Sequence, residues 1–322
     1  MKKRFLFPVI LVGLLAAGCG NGEETGTNEA PERNMGQQHM ENRYNDDFEM
    51  PMGDQISHIH GMGFIEEEEG LYFASHHGLR IYRDGEWSET AEHMNDYMGF
   101  NAVDRGFYTS GHPGMGSDMQ NPIGIHRSMD GGRSLEHMGF EGESDFHAMA
   151  VGYRSHHIFL MNPEANSRMQ QGFYRSVDEG ESWDPVEPQG LDGDVLALSM
   201  HPDNSELIAA ATTGGVFLSE DGGENFSRLT ADGESGTAVY FTDNDLFYGS
   251  YNSEPALIQY SFETEETEAL TLPEMSEDAV AYIAQNPKDE NELAISTFEV
   301  DAFISTDGGQ NWEQILDNGQ PQ

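Results

Sequence analysis

Short hydrophobic runs, each about the length of a β-strand, alternate with polar turns through most of the chain. In one stretch the runs are VLALSMHP, ELIAAATT, GVFLS and FSRLT. The same set of four recurs upstream as FHAMAVGY, HIFLMN, GFYRS and WDPVE, and near the end as AVAYIAQNP, ELAISTF, AFISTD and WEQIL. Runs of this length that are bounded by turn residues predict strands rather than helices. The pattern therefore predicts an all-β chain made of repeated four-stranded units.

Four nearly identical turns punctuate these units. They read SMDGGRSL, SVDEGESW, SEDGGENF and STDGGQNW. Each has an aspartate at its third position: Asp130, Asp178, Asp221 and Asp307. We expect this carboxylate to accept hydrogen bonds from backbone amides across a hairpin, a glycine to take positive φ, and the final apolar residue to pack on the sheet. These aspartates are therefore predicted to be structural.

The spacing of the turns predicts the architecture. Two weaker copies lie around Asp84 and Glu263, and the six acidic positions are then separated by 46, 48, 43, 42 and 44 residues. A period in the forties with four strands per repeat is typical of a β-propeller with one blade per repeat. We predict six blades over residues 55–318, with 319–322 as a tail; a seventh blade would need about 40 more residues. No strand is left over for exchange between the ends, so the ring should close by packing.

The N-terminus predicts export. MKKRFLFPVILVGLLAAGCG combines basic residues, an apolar run too short to span a membrane and the only cysteine, Cys19. We predict a signal peptide over 1–18, whose ending resembles a bacterial lipobox, and lipid attachment at Cys19; an ordinary secretory signal with a stray cysteine is the alternative. The polar, acidic residues 19–54 are predicted to be a disordered tether. The protein would then be extracytoplasmic and lipid-anchored to the cell membrane.

The charge of the chain excludes some partners. It has 58 acidic and 15 basic residues, a net charge of −43. Removing the three basic residues of the signal peptide leaves 12 − 58 = −46. Such a surface repels nucleic acid and anionic lipid headgroups. We therefore expect no nucleic-acid partner, and we expect a solvated monomer suited to high salt.

The Asp-box turns give the chain a resemblance to propellers of the sialidase and sortilin type. It looks most like bacterial lipoproteins labelled sialidase-like glycosyl hydrolases, through HIHGMGF, ASHHGL, YMGFNAVDRGFYTSGHPGMGSDMQNPIG and GESDFHAMAVGY. The resemblance implies either glycoside hydrolysis or a sortilin-like protein-binding or assembly module. A true sialidase would need a clamp of three arginines, which the scattered arginines do not supply. A general glycosidase needs two carboxylates, for which Asp118, Glu143 and Asp145 are candidates.

Histidines are concentrated where a propeller presents its ligand face. First strands start there and second strands end there, and this rule places six histidines of blades one to three together: His58, His60, His76, His77, His112 and His147. The loop residue His93 falls on the same face. Imidazole is a ligand for copper and zinc, and nearby methionines favour copper. We therefore predict a copper or zinc site, with Asp118 and Asp145 orienting the imidazoles. A glycan or a protein is the alternative ligand for this face.

Overall fold

Six antiparallel sheets form a β-propeller in the computed structural model, which describes residues 47–322 except residue 276. The predicted signal peptide, Cys19 and most of the predicted tether lie outside the described residues. The described part contains strands and turns but no helix. Accordingly, no helix within it could cross a membrane. The predicted all-β, six-bladed fold is confirmed.

Within each blade the strands run in chain order from the centre of the ring outward, except that the first described strand pairs at the outer edge of blade one. Blades one and two contain β1 (Glu49–Pro51), β2 (Gly61–Phe64), β3 (Leu71–Ser75), β4 (Gly78–Arg83), β5 (Glu86–Thr90), β6 (Asp96–Val103), β7 (Gly106–His112), β8 (Ile125–Ser128) and β9 (Glu136–Gly139). Blades three and four contain β10 (Met149–Val151), β11 (Ile158–Asn162), β12 (Gly172–Ser176), β13 (Asp184–Val186), β14 (Val195–Met200), β15 (Ile208–Thr212), β16 (Gly215–Ser219) and β17 (Phe226–Arg228). Blades five and six contain β18 (Ser235–Phe241), β19 (Asp245–Asn252), β20 (Glu254–Ser261), β21 (Thr267–Leu270), β22 (Val280–Asn286), β23 (Asp289–Thr297), β24 (Ala302–Ser305), β25 (Glu313–Asp317) and β26 (Gln320–Pro321).

Two edge strands lie outside the range predicted for the propeller. β1 pairs antiparallel with β5 at the outer edge of blade one, and β26 pairs with β25 in blade six. The buried carboxylate of Glu49 on β1 accepts a 3.0 Å hydrogen bond from Arg83 on β4. The prediction that residues 19–54 are all tether is therefore wrong for 49–51. The reason is that β5 offers a free edge, which even a short polar segment can pair with.

Among the described strands, the ring closes without exchange between the first and last blades, as expected. All strands of blade one precede those of the other blades, and blade six uses only C-terminal strands. One hydrophobic cluster joins the two blades and includes Phe73 and Trp87 from blade one with Ala294 and Ile315 from blade six. The indole Nε1 of Trp87 donates a 3.1 Å hydrogen bond to the backbone carbonyl of Ile315. Closure thus depends on packing between the first and last blades.

The aspartate turns have the predicted hydrogen bonds. In blade three, Asp178 accepts from the Ser176 hydroxyl at 2.7 Å, and from the backbone N–H and hydroxyl of Ser182 at 2.9 and 2.5 Å. Gly180, at φ 89°, donates its N–H to the Ser176 hydroxyl. The bonds from Ser182, foremost, lower the pKa of Asp178 to about 2. Equivalent bonds form around Asp130, Asp221 and Asp307.

Trp87→Phe tests the closure of the ring. Loss of the hydrogen bond to Ile315 should lower the free energy of unfolding by about 1 kcal/mol, in addition to the effect of the smaller ring. Trp183→Phe is the matched control, because the buried indole N–H of Trp183 donates to no partner among the described residues. Urea denaturation would measure both variants. Equal destabilisation of the two would contradict a special role for Trp87.

Candidate metal centre

Three ligand atoms from blades one and two converge in a first group. His60 immediately precedes β2, His76 lies in the two-residue turn between β3 and β4, and Asp96 begins β6. His76 Nδ1 lies 2.9 Å from Asp96 Oδ1 and 3.3 Å from His60 Nε2. His60 Nε2 lies 3.8 Å from the same Asp96 oxygen. This spacing suits three donors around one ion.

Two more of the predicted histidines lie beside this group. The ring of His58 stacks 5.9 Å from that of His60 and meets the ring of His76 edge-on at 4.9 Å, centroid to centroid. The pair at i and i+2 is therefore on one side, as predicted, although both residues precede β2 instead of starting it. His77 is exposed, its ring lies 6.5 Å from that of His76, and its carbonyl accepts a hydrogen bond from Arg80.

A second group comes from blades two and three. Asp145 Oδ2 lies 2.6 Å from His147 Nε2 and 3.2 Å from His112 Nε2. Its other oxygen accepts a hydrogen bond from the Ser110 hydroxyl at 3.3 Å. The amide oxygen of Asn121 lies 2.7 Å from His112 Nδ1 and accepts its proton. His112 Nε2 is thereby left facing the carboxylate and His147.

The pKa values of histidines in the two groups are shifted in opposite directions. Burial, foremost, and the neighbouring charge of His76 lower the pKa of His60 to about 4, although Asp96 acts in the opposite direction. The hydrogen bond with Asp145 is the main cause that raises the pKa of His147 above its ordinary value. The lowered pKa keeps the His60 imidazole neutral at neutral pH and available as a ligand. The raised pKa of His147 makes a metal at the second group compete more strongly with protons.

Asp96 is a candidate ligand that the sequence analysis missed. It begins the inner strand of blade two, while His60 and His147 stand just before the inner strands of blades one and three. Applying the rule for first strands to aspartates as well as histidines would have found it. Among the 58 acidic residues of the chain, a single aspartate is inconspicuous.

The other predicted candidates are not part of these groups. Asp118 is exposed in the loop after β7 and forms no hydrogen bond or ion pair with the six histidines, whereas Asp145 contacts His112 and His147 directly. Glu143 accepts a 2.7 Å hydrogen bond from the Ser167 backbone, which lowers its pKa. His93 instead contacts the carbonyl of Arg133 at 3.2 Å.

The arginines are dispersed, as the sequence analysis expected. Arg133 stacks on Phe48 and Arg168 on Phe140. The other described arginines form ion pairs: Arg80 with Glu89, Arg83 with Glu49, Arg105 with Asp104, Arg127 with Glu136 and Glu179, Arg154 with Asp203 and Asp243, Arg175 with Glu206, and Arg228 with Asp192 and Asp232. Such separate pairs do not make the clamp that a sialidase needs.

A cavity of about 220 Å³ follows the central channel. Its walls come from the inner strands of all six blades, and His60 and His147 both line it. Each of the two groups therefore contributes one imidazole to the same space. The cavity gives a small molecule or ion a route to both groups at once.

Comparison with known proteins identifies the repeat. The BNR/Asp-box repeat matches residues 303–314, which form the turn around Asp307 and the strands beside it. The chain is a β-propeller that contains Asp-box turns. No curated protein sequence matches this propeller.

Solved structures similar to the Asp-box propeller share its fold at low identity. They include the GH74 xyloglucanase from Xanthomonas campestris and the GH74 enzyme from Niastella koreensis, each with a TM-score of 0.54, 15% identity and coverage of 83% of this chain and 46% of theirs. The oligogalacturonate lyase from Vibrio parahaemolyticus has a TM-score of 0.50, 11% identity and coverage of 83% and 82%. This chain spans about half the length of the GH74 structures. Likeness at this identity establishes the fold alone.

An NMR titration of the imidazoles in metal-free protein would test the two environments. His60 should stay neutral until the pH approaches about 4, and His147 should gain its proton above the ordinary value of 6.5. Because the folded state resists protonation of His60, this residue should destabilise the fold as pH falls from 6.5 to about 4. Protonation of His147 has the opposite effect on stability. Its hydrogen bond with Asp145 should stabilise the fold at low pH, and this stabilisation should be lost as pH rises through the raised pKa. Titration of both residues together near 6.5 would contradict the described contacts.

Proposed function

We propose that this protein is an extracytoplasmic, lipid-anchored propeller that binds a transition metal, copper or zinc, on the face formed by blades one to three. One observation carries the proposal. Two clusters lie on this face, and each contains two imidazoles and one carboxylate. Within each cluster the three possible ligand atoms lie within 4.8 Å of one another. Within the described residues these are the groups with such geometry.

The chemistry of the contacts supports a cation. His112 Nε2 and His147 Nε2 both approach the same oxygen of Asp145, at 3.2 and 2.6 Å. In the neutral form of His112 that donates its Nδ1 proton to Asn121, Nε2 carries a lone pair that would repel the carboxylate. A proton or a metal ion between these atoms removes the repulsion. A metal ion does so without charging either imidazole.

The donor set favours a divalent ion. Imidazole nitrogen and carboxylate oxygen suit zinc(II) and copper(II), whereas copper(I) prefers thioethers and thiolates. Met62 and Met149, which lie near the two groups, are buried and belong to hydrophobic clusters between blades. They therefore serve packing, and copper(II) or zinc(II) is the form we propose.

Metal analysis of protein purified without a histidine tag tests this function. Wild-type protein should retain copper or zinc by mass spectrometry and bind it in calorimetry. The variant His58→Ala/His60→Ala should lose more than about 10-fold in affinity, since even partners of metal ligands contribute that much. The matched control His137→Ala/His201→Ala removes two histidines outside the six and should bind like the wild type. Absence of metal binding, or equal binding by both variants, would overturn the proposal.

Glycoside hydrolysis is the second candidate, and it rests on the likeness of the fold to GH74 enzymes. Asp145 would then be an acid, base or electrostatic group, and the bound metal or the histidines would hold the sugar. The same preparations, incubated with xyloglucan and aryl glycosides in the presence and absence of chelator, distinguish the two. Turnover that Asp145→Asn abolishes would favour the enzyme, whereas metal binding without turnover favours a binding protein.

Lipid anchoring at Cys19 is tested separately. The wild-type chain, expressed in a bacterium with its own N-terminus, should partition with membranes and incorporate radiolabelled fatty acid. Cys19→Ala removes the thiol that the lipid modifies and should abolish the labelling. Ser57→Ala serves as a control, because it lies beyond the predicted tether. Labelling that persists in Cys19→Ala would contradict the anchor.

A further inference from the structure

The two ligand groups are joined through the pairing of two neighbouring strands. Asp96 of the first group and His112 of the second are direct partners in the antiparallel register of β6 and β7. Directly opposite residues project to the same side of a sheet, with Cβ atoms about 4.5–5.5 Å apart. The two groups are therefore adjacent, and they are connected by ligands on the same blade.

Glycines bring the three inner strands unusually close. A Cβ atom on Gly61 of β2 would lie 2.6 Å from the Cβ of Phe100 on β6. A Cβ atom on Gly99 of β6 would lie 2.1 Å from the carbonyl oxygen of Phe146. Gly61 directly follows the ligand His60, and Phe146 lies between Asp145 and His147. The close approach thus occurs one residue away from ligands in each group.

Both groups also face the same open space. His60 of the first group and His147 of the second line the central cavity of about 220 Å³. Each group contributes an imidazole that lines this cavity. Ions held by the two groups would therefore face each other across the cavity without an intervening side chain. An oxygen ligand from solvent could occupy the space between them and reduce the repulsion between two cations.

We propose that the two groups form one paired-metal centre, in which two divalent transition-metal ions lie close enough to interact. This inference rests on the proposed metal binding. It adds that the ions are held at His60, His76 and Asp96 and at His112, Asp145 and His147, as a pair. The centre would be completed by His58 beside the first ion.

Electron paramagnetic resonance with copper(II) tests the pairing on the full mature chain. The first equivalent should give the spectrum of an isolated ion. With the second equivalent, coupling between the two spins should give a half-field transition or a loss of signal intensity. His112→Ala/His147→Ala and His60→Ala/His76→Ala should each bind one equivalent and keep the spectrum of an isolated ion.

A metal-dilution experiment covers the case in which a double variant does not fold. Wild-type protein loaded with copper(II) and a large excess of zinc(II) should recover the spectrum of an isolated copper ion, because most copper then has a diamagnetic neighbour. Two bound copper ions with independent spectra, or a single bound ion, would overturn the pairing and leave the proposed function standing. Absence of copper and zinc binding would overturn both.

Discussion

The contact between the first and last blades is the constraint on which the ring depends. A blade buries apolar side chains on both faces, so an open row of six would leave two hydrophobic faces in water. Here Trp87 of blade one and Ile315 of blade six share a cluster and a hydrogen bond, and Ile56 donates its N–H to Gly319 at 2.9 Å. Because no strand spans this junction in the described ring, side-chain packing and these two hydrogen bonds stabilise it.

The outer turns and the inner strands have separate roles. The Asp-box turns satisfy their own backbone groups, and the apolar residue that ends each turn packs on its sheet, as Phe226 does in blade four. The inner strands instead approach one another through residues without side chains, such as Gly63, whose Cβ would lie 2.5 Å from that of Ala102. The outer turns thus stabilise the fold, whereas the strand ends near the axis carry His60, Asp96 and His147.

The fold alone does not decide what the face does, because similar rings carry unrelated chemistry. The GH74 enzymes share the architecture at 15% identity. Local contacts distinguish between possible ligands of this face. Imidazoles converge on single oxygens of Asp96 and Asp145. The described arginines form ion pairs or stack on aromatic rings. These contacts favour a metal over an anionic sugar, and they depend on positions that lie far apart in the chain.

The repeat by itself determined the number of blades, the turns around Asp130, Asp178, Asp221 and Asp307, and the gathering of histidines on blades one to three, since these follow from local patterns and a constant period. It did not determine that Glu49–Pro51 adds to the first sheet, because strand pairing across 40 residues leaves no local pattern. Nor did it distinguish Asp96, which contacts His76, from Asp118, which is exposed in a loop. Only the tertiary structure decided this, since the difference lies in which strands meet at distances of a few ångströms.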